Sequence, residues 1–217
     1  LLQNAVDSFD SYEQTSLEIK IVLTDNLLVF MHNGSAFSER DLEGLCDIGN
    51  GNKVTDAKKI GYKGIGFKSV FMHSHRVTVW SAGTCFKFDK DACEALAKSK
   101  GGEYKNVKMP WQIIPILTNT PSDINTGNFN VVTYIEISNK KLLEHKVEKL
   151  LRDTRFLLFL KVDDLRISFW NNGEEMLNLS KKQTDDVLTL SMNGEPQNSW
   201  LIYSTEVKLT PEVKDAL

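Results

Sequence analysis

The sequence has few cysteines and no paired cysteine motif. Cys46, Cys85 and Cys93 are widely separated in a chain of 217 residues, and none belongs to a C-x-x-C pair. This spacing excludes the common zinc and thioredoxin-type redox motifs. A small, odd number of cysteines is typical of proteins from reducing compartments. We therefore expect an intracellular protein, either cytoplasmic or nuclear.

Long apolar runs and a surplus of positive charge are also absent. No segment approaches the roughly 18–20 apolar residues that cross a bilayer, and the opening LLQNAVDSFD lacks the basic and apolar regions of a secretory signal. Lys and Arg number 26 against 29 Asp and Glu, which gives a net charge of −3. We expect no membrane association, and nucleic acid is not indicated as a partner because such proteins usually carry a basic surplus.

The apolar pattern predicts a globular α+β chain. Hydrophobic residues make up 41% and charged residues 25% of the sequence, enough apolar material for a core. Apolar residues follow helical spacing in the first nine residues and over 140–151, and Ser38 with Asp41 resembles a capping box before a short helix. Strand-like segments occupy 17–23, 27–31, 77–80, 85–88, 130–137, 165–170, 175–179, 187–192 and 200–209, the last three as a meander.

A glycine-rich loop before a predicted helix is the most informative segment. It reads IGYKGIGFKSVF over residues 60–71, with Gly61, Gly64 and Gly66 in a G-x-x-G-x-G spacing. Glycine allows close backbone approach, and a helix N-terminus favours anions. The pattern therefore indicates a phosphate-binding loop about as strongly as an ordinary tight loop. It is not a Walker loop, and no strand directly precedes Gly61 as a dinucleotide fingerprint requires.

Two neighbouring features extend this interpretation. Lys63 lies within the glycine-rich loop and can either reach a terminal phosphate as a point charge or remain an exposed loop lysine. Residues 50–53, NGNK, have the glycine and polar residues of a hinged lid over a ligand.

Two further motifs supply oxygen atoms. Asn4 and Asp7 lie three residues apart on the first predicted helix and share a face. An Asn carbonyl oxygen facing a phosphate cluster suits Mg²⁺, which prefers oxygen ligands. Thr133 lies within the predicted strand VVTYIEI. Taken singly, Asn4 and Asp7 are more typical of a solvated helix face, and Thr133 is more typical of an ordinary strand.

The residues His32, Asn33 and Gly34 end a buried strand. Polar side chains in this position can hydrogen-bond a purine edge inside a pocket, although a simple strand-ending turn has the same composition.

In order and spacing, these motifs resemble the GHKL or Bergerat-fold ATPases, which include DNA gyrase, the ninety-kilodalton heat-shock chaperone, histidine kinases and mismatch-repair ATPases. LLQNAVDS resembles the first-helix motif, with Asn4 at the Mg²⁺ position, and IGYKGIGFKSVF resembles the chaperone-type glycine-rich box. VVTYIEI resembles the last strand motif, in which the hydroxyl of Thr133 would help to hold adenine. Together with LCDIGNGNK and FKFD, these segments most resemble the sacsin and NO VEIN-like branch, whose ATP module lies within much larger proteins.

The resemblance covers about residues 1–160 and implies a fold, a ligand and a site. The implied fold is an α+β two-layer sandwich, with a mixed, mainly antiparallel sheet and helices on one face. Residues 1–160 would form the ATP-binding domain, and 161–217 a sheet extension or the start of a following module. The implied ligands are ATP and Mg²⁺, with Asn4 as the metal ligand. The implied nucleotide-binding residues are Asn4, Asp7, His32, Asn33, Gly34, Gly61, Lys63, Gly64, Ile65, Gly66, Phe67 and Thr133.

Two departures from the family pattern limit the assignment of chemistry. The family's general-base Glu would fall immediately ahead of Leu1, so the catalytic residue is unassigned and any hydrolysis would depend on an upstream residue. His32 occupies the place of the Asp that usually accepts a hydrogen bond from the adenine amino group. Either the Asn33 carbonyl oxygen or a neutral His32 ring nitrogen could accept that hydrogen bond instead.

These features lead to one main function and one alternative. The main hypothesis is a chaperone-like or regulatory module that binds ATP·Mg²⁺, hydrolyses it slowly, and signals through its lid to neighbouring domains or to a second copy in a homodimer. The alternative is a degenerate scaffold that acts as a protein-interaction domain with weak or no nucleotide binding. A histidine kinase is less favoured because no phosphoacceptor helix precedes the module, and a topoisomerase because basic residues are not in surplus.

Overall fold

The chain builds one ten-stranded sheet with helices packed against one face, as seen in a computed structural model that describes residues 1–12, 14–46, 65–102, 108–119 and 126–203. The helices are α1 (Leu2–Asp7), α2 (Glu39–Cys46), α3 (Ile65–Lys68), α4 (Lys90–Lys100) and α5 (Lys140–Arg152), with 3₁₀ segments at Ser69–Met72, Trp111–Ile113 and Thr154–Phe159. The strands are β1 (Leu17–Leu23), β2 (Leu27–His32), β3 (Arg76–Ser81), β4 (Thr84–Asp89), β5 (Ile116–Leu117), β6 (Val131–Glu136), β7 (Asp164–Asn171), β8 (Glu174–Thr184), β9 (Val187–Met192) and β10 (Glu195–Leu201).

The sheet is mixed but mainly antiparallel. Its strand order is β10-β9-β8-β7-β1-β2-β6-β3-β4-β5. Among the described strand pairs, only β1 and β7 run parallel. Residues 164–201 therefore add four strands to the sheet beside β1. The predicted α+β fold class is confirmed.

The alternation of buried and half-buried residues along the strands shows which face of the sheet packs against the core. In β1, every second residue from Leu17 to Leu23 is buried, which is the period of a strand with one covered face. The register carries this face across the sheet, because Ile19 pairs with His32 and Phe30 pairs with Thr133. The polar residues His32 and Thr133 consequently lie on the apolar, helix-covered face.

All described helices that reach the core pack on that same face. One cluster joins Ala5 of α1 and Leu151 of α5 to β1, β7, β8 and β9. A second cluster joins Phe67 of α3 and Cys93 of α4 to β3 and β4. The opposite face carries a small cluster centred on Val132, whose members in the described chain come from strands and one turn residue. The prediction of helices on one face is therefore confirmed.

Side-chain caps define where the helices begin. The Ser38 N–H donates to Asp41 Oδ2 at 2.9 Å, and the Asp41 N–H donates to Ser38 Oγ at 3.2 Å, so the predicted capping box is present. Asp89 and Asn139 cap α4 and α5 by accepting backbone N–H groups at 3.0 Å.

The last described strand differs from its predicted position. β10 begins at Glu195, five residues before the apolar segment that starts at Trp200. Asn193 and Gly194 both adopt positive φ, of 51° and 82°, and close a tight hairpin that starts the strand early. Residues 195–199 are polar and exposed, so their sequence contains no apolar alternation from which to predict a strand.

A buried lysine on β8 binds the backbone of the segment that joins the last 3₁₀ segment to β7. Lys181 is only 5% exposed, and its Nζ donates to the Leu160 carbonyl oxygen at 2.6 Å. Burial lowers the pKa of Lys181. We expect Lys181→Ala to lower the free energy of unfolding by about 1–3 kcal/mol, because it removes a buried hydrogen bond from a charged donor and the packing of the lysine alkyl chain.

Chemical denaturation of Lys181→Ala and of Lys182→Ala measures this effect. Lys182 is the exposed neighbour on the same strand, and its substitution should change stability by less than about 0.5 kcal/mol. Equal losses in the two variants would contradict a role for the Leu160 contact.

Within the described parts of the chain, we find no helix that combines the length and apolar character needed to span a bilayer.

Candidate functional site

One end of the covered sheet face brings α1, the end of β2 and the middle of β6 together. His32 pairs with Val131, and Thr133 pairs with Phe30 on one side and with Val79 on the other. His32 and Thr133 are therefore diagonal neighbours on two adjacent strands, a separation of about 7–8 Å between backbones that one ligand ring can span.

A close contact between Gly34 and α1 fixes this end of the site. A Cβ atom at Gly34 would overlap Ser8 Oγ and would lie 3.0 Å from His32 Nδ1 and 3.3 Å from Ala5 O. Only glycine lets the strand end approach the helix this closely. The backbone adds a hydrogen bond from the Ser35 N–H to Ser8 O at 2.8 Å. The predicted first-helix and strand-ending motifs thus meet in space.

His32 is a buried, uncharged acceptor or donor at neutral pH. It is 4% exposed, and burial lowers its pKa to about 4. A neutral imidazole has one N–H and one unprotonated nitrogen. His32 can therefore present an uncharged hydrogen-bond acceptor on the covered face.

The side chain of Asn33 is used within the fold. Asn33 Oδ1 accepts the Glu18 N–H at 2.8 Å, and Nδ2 donates to Ser16 O at 3.1 Å. These bonds tie the end of β2 to the start of β1. Of the two acceptors considered from the sequence, the Asn33 oxygen is engaged, and the His32 ring is the one on the covered face.

The hydroxyl of Thr133 has no partner among the described residues. The side chain is 3% exposed on the helix-covered face, between Phe30 and Val79. No hydrogen bond joins its Oγ1 to the rest of the described chain. A buried hydroxyl normally has a partner, so this group is suited to a ligand.

The oxygen donors of α1 lie near the contact between Gly34 and Ser8. Asn4 precedes Ser8 by one helical turn and therefore lies on the same helix face. It is half-buried, and its amide makes no hydrogen bond to another described residue. Asp7 Oδ1 accepts from Gln3 Nε2 at 2.8 Å. Amide and carboxylate oxygens are donors that suit Mg²⁺.

A preformed metal centre is not present in the described part of the chain, which holds no group of three or more His, Cys, Asp or Glu suited to a metal. In proteins, Mg²⁺ is usually held by one or two side-chain oxygens and completed by phosphates and water, and an amide oxygen is a suitable donor. Asn4 therefore fits the metal position by the chemistry of its donor.

The described end of the glycine-rich segment is anchored by aromatic packing. Ile65, Gly66 and Phe67 open α3. Phe67 is 4% exposed, with its ring 6.1 Å from Phe88 and 5.9 Å from Phe71. A Cβ at Gly66 would meet nothing within 4 Å, so packing alone does not require glycine there. Gly61, Lys63, Gly64 and the proposed lid at 50–53 lie outside the described residues.

The sequence interpretation did not assign Ser8. Its signal was present, because Ser8 follows Asn4 by four residues in LLQNAVDS and so shares its helix face. Its contacts with His32 and Gly34 depend on how α1 meets β2, which the helical pattern does not specify.

Fold and site together define an α+β sandwich domain with a polar site between its helices and one sheet face. The model of the Sacsin domain family matches residues 4–109, which include Asn4, His32 and the glycine-rich loop but not Thr133. Protein NO VEIN from Arabidopsis thaliana is 25% identical over 220 residues. That alignment covers 97% of this chain and 8% of NO VEIN, so the chain spans a small part of that relative. Both findings support a sacsin- and NO VEIN-like branch, as the motifs predicted.

Proposed function

We propose that this chain is an ATP·Mg²⁺-binding module of the GHKL type, with a chaperone-like or regulatory role. The observation that carries the proposal is the meeting of α1, His32 and Thr133 at one end of the covered sheet face. Two side chains there, Asn4 and Thr133, keep their polar groups free of described partners. Such convergent polar groups on an apolar wall are typical of a ligand site.

The residues divide into three proposed roles. His32 and Thr133 contact the base, because both lie on the sheet face that forms the floor of the site. Asn4 holds Mg²⁺ through its amide oxygen, with Asp7 beside it. The glycine-rich loop, from Gly61 to Phe67, wraps the phosphates, which it meets with backbone N–H groups. Bound Mg²⁺ supplies positive charge between phosphate oxygens.

The output of the module is a conformational switch. ATP closes the lid at residues 50–53, and the closed state is recognised by neighbouring domains of a larger intracellular protein or by a second copy of this chain. Only contacts that differ between the open and closed states can drive such a switch. Hydrolysis is slow and uses a general base that these residues do not supply.

One observation favours the alternative, a degenerate scaffold that acts through protein interaction. The base-reading position carries His32 in place of a carboxylate, which removes a charge-assisted acceptor from the site. The two functions differ in one measurable property, the affinity for ATP in the presence of Mg²⁺.

Calorimetric titration of ATP with and without Mg²⁺ tests the proposed function with two variants that separate binding from folding. Thr133→Val keeps the shape of the side chain and removes a buried hydroxyl that has no described partner, so no hydrogen bond within the protein is lost and its stability should stay within about 1 kcal/mol of the unmodified protein. We expect its ATP affinity to fall about tenfold, the effect of one lost hydrogen bond. Asn4→Ala should abolish the Mg²⁺ dependence of binding.

The matched control is Asn128→Ala, which removes an exposed amide from a turn outside the site. It should bind ATP like the unmodified protein. Absence of binding by the folded protein at millimolar ATP would overturn the nucleotide function and leave the scaffold.

A further inference from the structure

The hydroxyl of Ser8 lies beside Nδ1 of the His32 ring. Ser8 Oγ donates its one hydrogen to Ala5 O at 2.8 Å. The same Oγ lies 3.5 Å from His32 Nδ1. Because the only hydroxyl proton is already donated, Ser8 Oγ can act towards the ring only as an acceptor. This arrangement favours the hydrogen of the neutral ring on Nδ1, with the lone pair on Nε2.

The surrounding packing keeps this pair in place. A Cβ at Gly34 would overlap Ser8 Oγ and lie 3.0 Å from His32 Nδ1, so any larger residue would disturb the contact between the two side chains. The Phe30 ring stands 6.1 Å from the His32 ring at a tilt of 59°. The His32 side chain is therefore held from the helix side and from the strand side at once.

The opposite edge of the ring has no described hydrogen-bond partner. Nε2 lies across the imidazole from Ser8, and no described residue forms a hydrogen bond with it. The Thr133 hydroxyl, also without a described partner, is the diagonal neighbour on the next strand. The floor of the site thus offers one fixed acceptor beside one hydroxyl that can donate or accept.

We propose that Ser8 is a positioning residue that holds His32 as the Nδ1–H tautomer, so that Nε2 accepts a hydrogen bond from the amino group of a 6-aminopurine and disfavours a 6-oxopurine. This inference rests on the proposed nucleotide function and names the chemistry by which the base is selected. An amino group donates to Nε2, whereas the carbonyl oxygen of a 6-oxopurine would place two acceptors against each other. A buried acceptor without a donor weakens binding, here by about tenfold or more.

The tautomer can be measured without any nucleotide. Long-range ¹H–¹⁵N correlation spectra of the whole chain with ¹⁵N-labelled histidine distinguish a protonated Nδ1 from a protonated Nε2, and loss of the signal in His32→Gln assigns the residue. We expect a protonated Nδ1 and an unprotonated Nε2 at pH 7. In Ser8→Ala the ring should shift towards a mixture of tautomers. A protonated Nε2 in the unmodified protein would overturn the proposal.

Ser99→Ala is the matched control. Ser99 Oγ makes the same kind of bond to a helix carbonyl three residues earlier, to Leu96 O at 2.8 Å, but is exposed on α4. Its removal should leave the His32 spectrum unchanged. A shift as large as that in Ser8→Ala would show a general effect of stability and would contradict the role of Ser8.

Competition between ATP and inosine triphosphate tests the base preference. The unmodified protein and Ser99→Ala should bind ATP about tenfold more tightly than inosine triphosphate. Ser8→Ala should still bind ATP, but the ratio of the two affinities should fall towards one, because a free tautomer can donate to the 6-oxo group. Equal affinities in the unmodified protein would overturn the base preference alone. No binding of either nucleotide would overturn the proposed function and the preference with it, while the spectra still decide the role of Ser8.

Discussion

Replacing Phe88 by Ala should lower the free energy of unfolding by about 3–5 kcal/mol, the usual cost of deleting a fully buried phenyl ring. Phe88 is 0% exposed on the covered face of β4. Its ring lies 6.1 Å from Phe67, 5.4 Å from Phe71 and 5.8 Å from Phe86. The substitution opens a cavity between the sheet and the helical turns that follow the glycine-rich loop.

The functional part of this prediction follows from the same packing. Phe67 belongs to the glycine-rich motif, and the ring of Phe88 on β4 packs against the ring of Phe67. If the chain binds ATP as proposed, its affinity should fall under conditions where Phe88→Ala remains folded, because α3 is no longer held against β4. Equilibrium denaturation in guanidinium chloride measures the stability, and calorimetry measures the affinity.

The control for ring deletion is Phe159→Ala. Phe159 is 78% exposed, so its removal should change the free energy of unfolding by less than about 0.5 kcal/mol. If Phe88→Ala unfolds at the same denaturant concentration as Phe159→Ala, the aromatic cluster does not hold the glycine-rich segment.

Acidification should destabilise the protein between about pH 6.5 and pH 4 through His32. Burial lowers the pKa of His32 from 6.5 to about 4, so the unfolded chain takes up a proton in this range and the folded chain does not. Stability is therefore greatest above pH 6.5 and falls as the pH drops towards 4. The full difference corresponds to about 3 kcal/mol.

The groups that face His32 give no compensating negative charge. Within the described chain its ring contacts are the Ser8 hydroxyl and the Phe30 ring, neither of which carries a charge. Denaturation curves measured from pH 7.5 to pH 4 should show a flatter profile for His32→Gln than for the unmodified protein.

His145→Gln serves as the control for the acid effect, because His145 is an exposed histidine on α5. Its profile should follow that of the unmodified protein. A His32→Gln protein that loses stability with the same slope would refute the assignment of this transition to His32.

The sequence predicted the individual elements better than their assembly. Period-two burial in Leu17–Leu23 and the Ser38–Asp41 capping box are local, and both were predicted correctly. The start of β10 was missed because residues 195–199 are polar and a left-handed turn, not an apolar pattern, begins the strand. Local rules describe contacts between residues a few positions apart, so they carry little information on how distant strands pair.

In the candidate site, too, local features were predicted and long-range contacts were not. The types of residue at Asn4, His32 and Thr133 indicated polar groups for a ligand. The engagement of Asn33 by the Glu18 N–H and the contact of Ser8 with His32 depend on the packing of α1 and β1 against β2. These long-range contacts decide which nitrogen or oxygen is free, and a single sequence does not contain them.

The parallel pairing of β1 with β7 has a consequence for how the chain folds. β1 lies inside the sheet, between β2 and a strand that begins almost 150 residues later at Asp164. Parallel pairing across so long a loop is slow to form, because the loop must close before its contacts stabilise it. During synthesis, the first strand keeps an open edge until residue 171 has left the ribosome. The helix that carries Asn4 and Ser8 therefore packs against a completed sheet only after β7 has been synthesised.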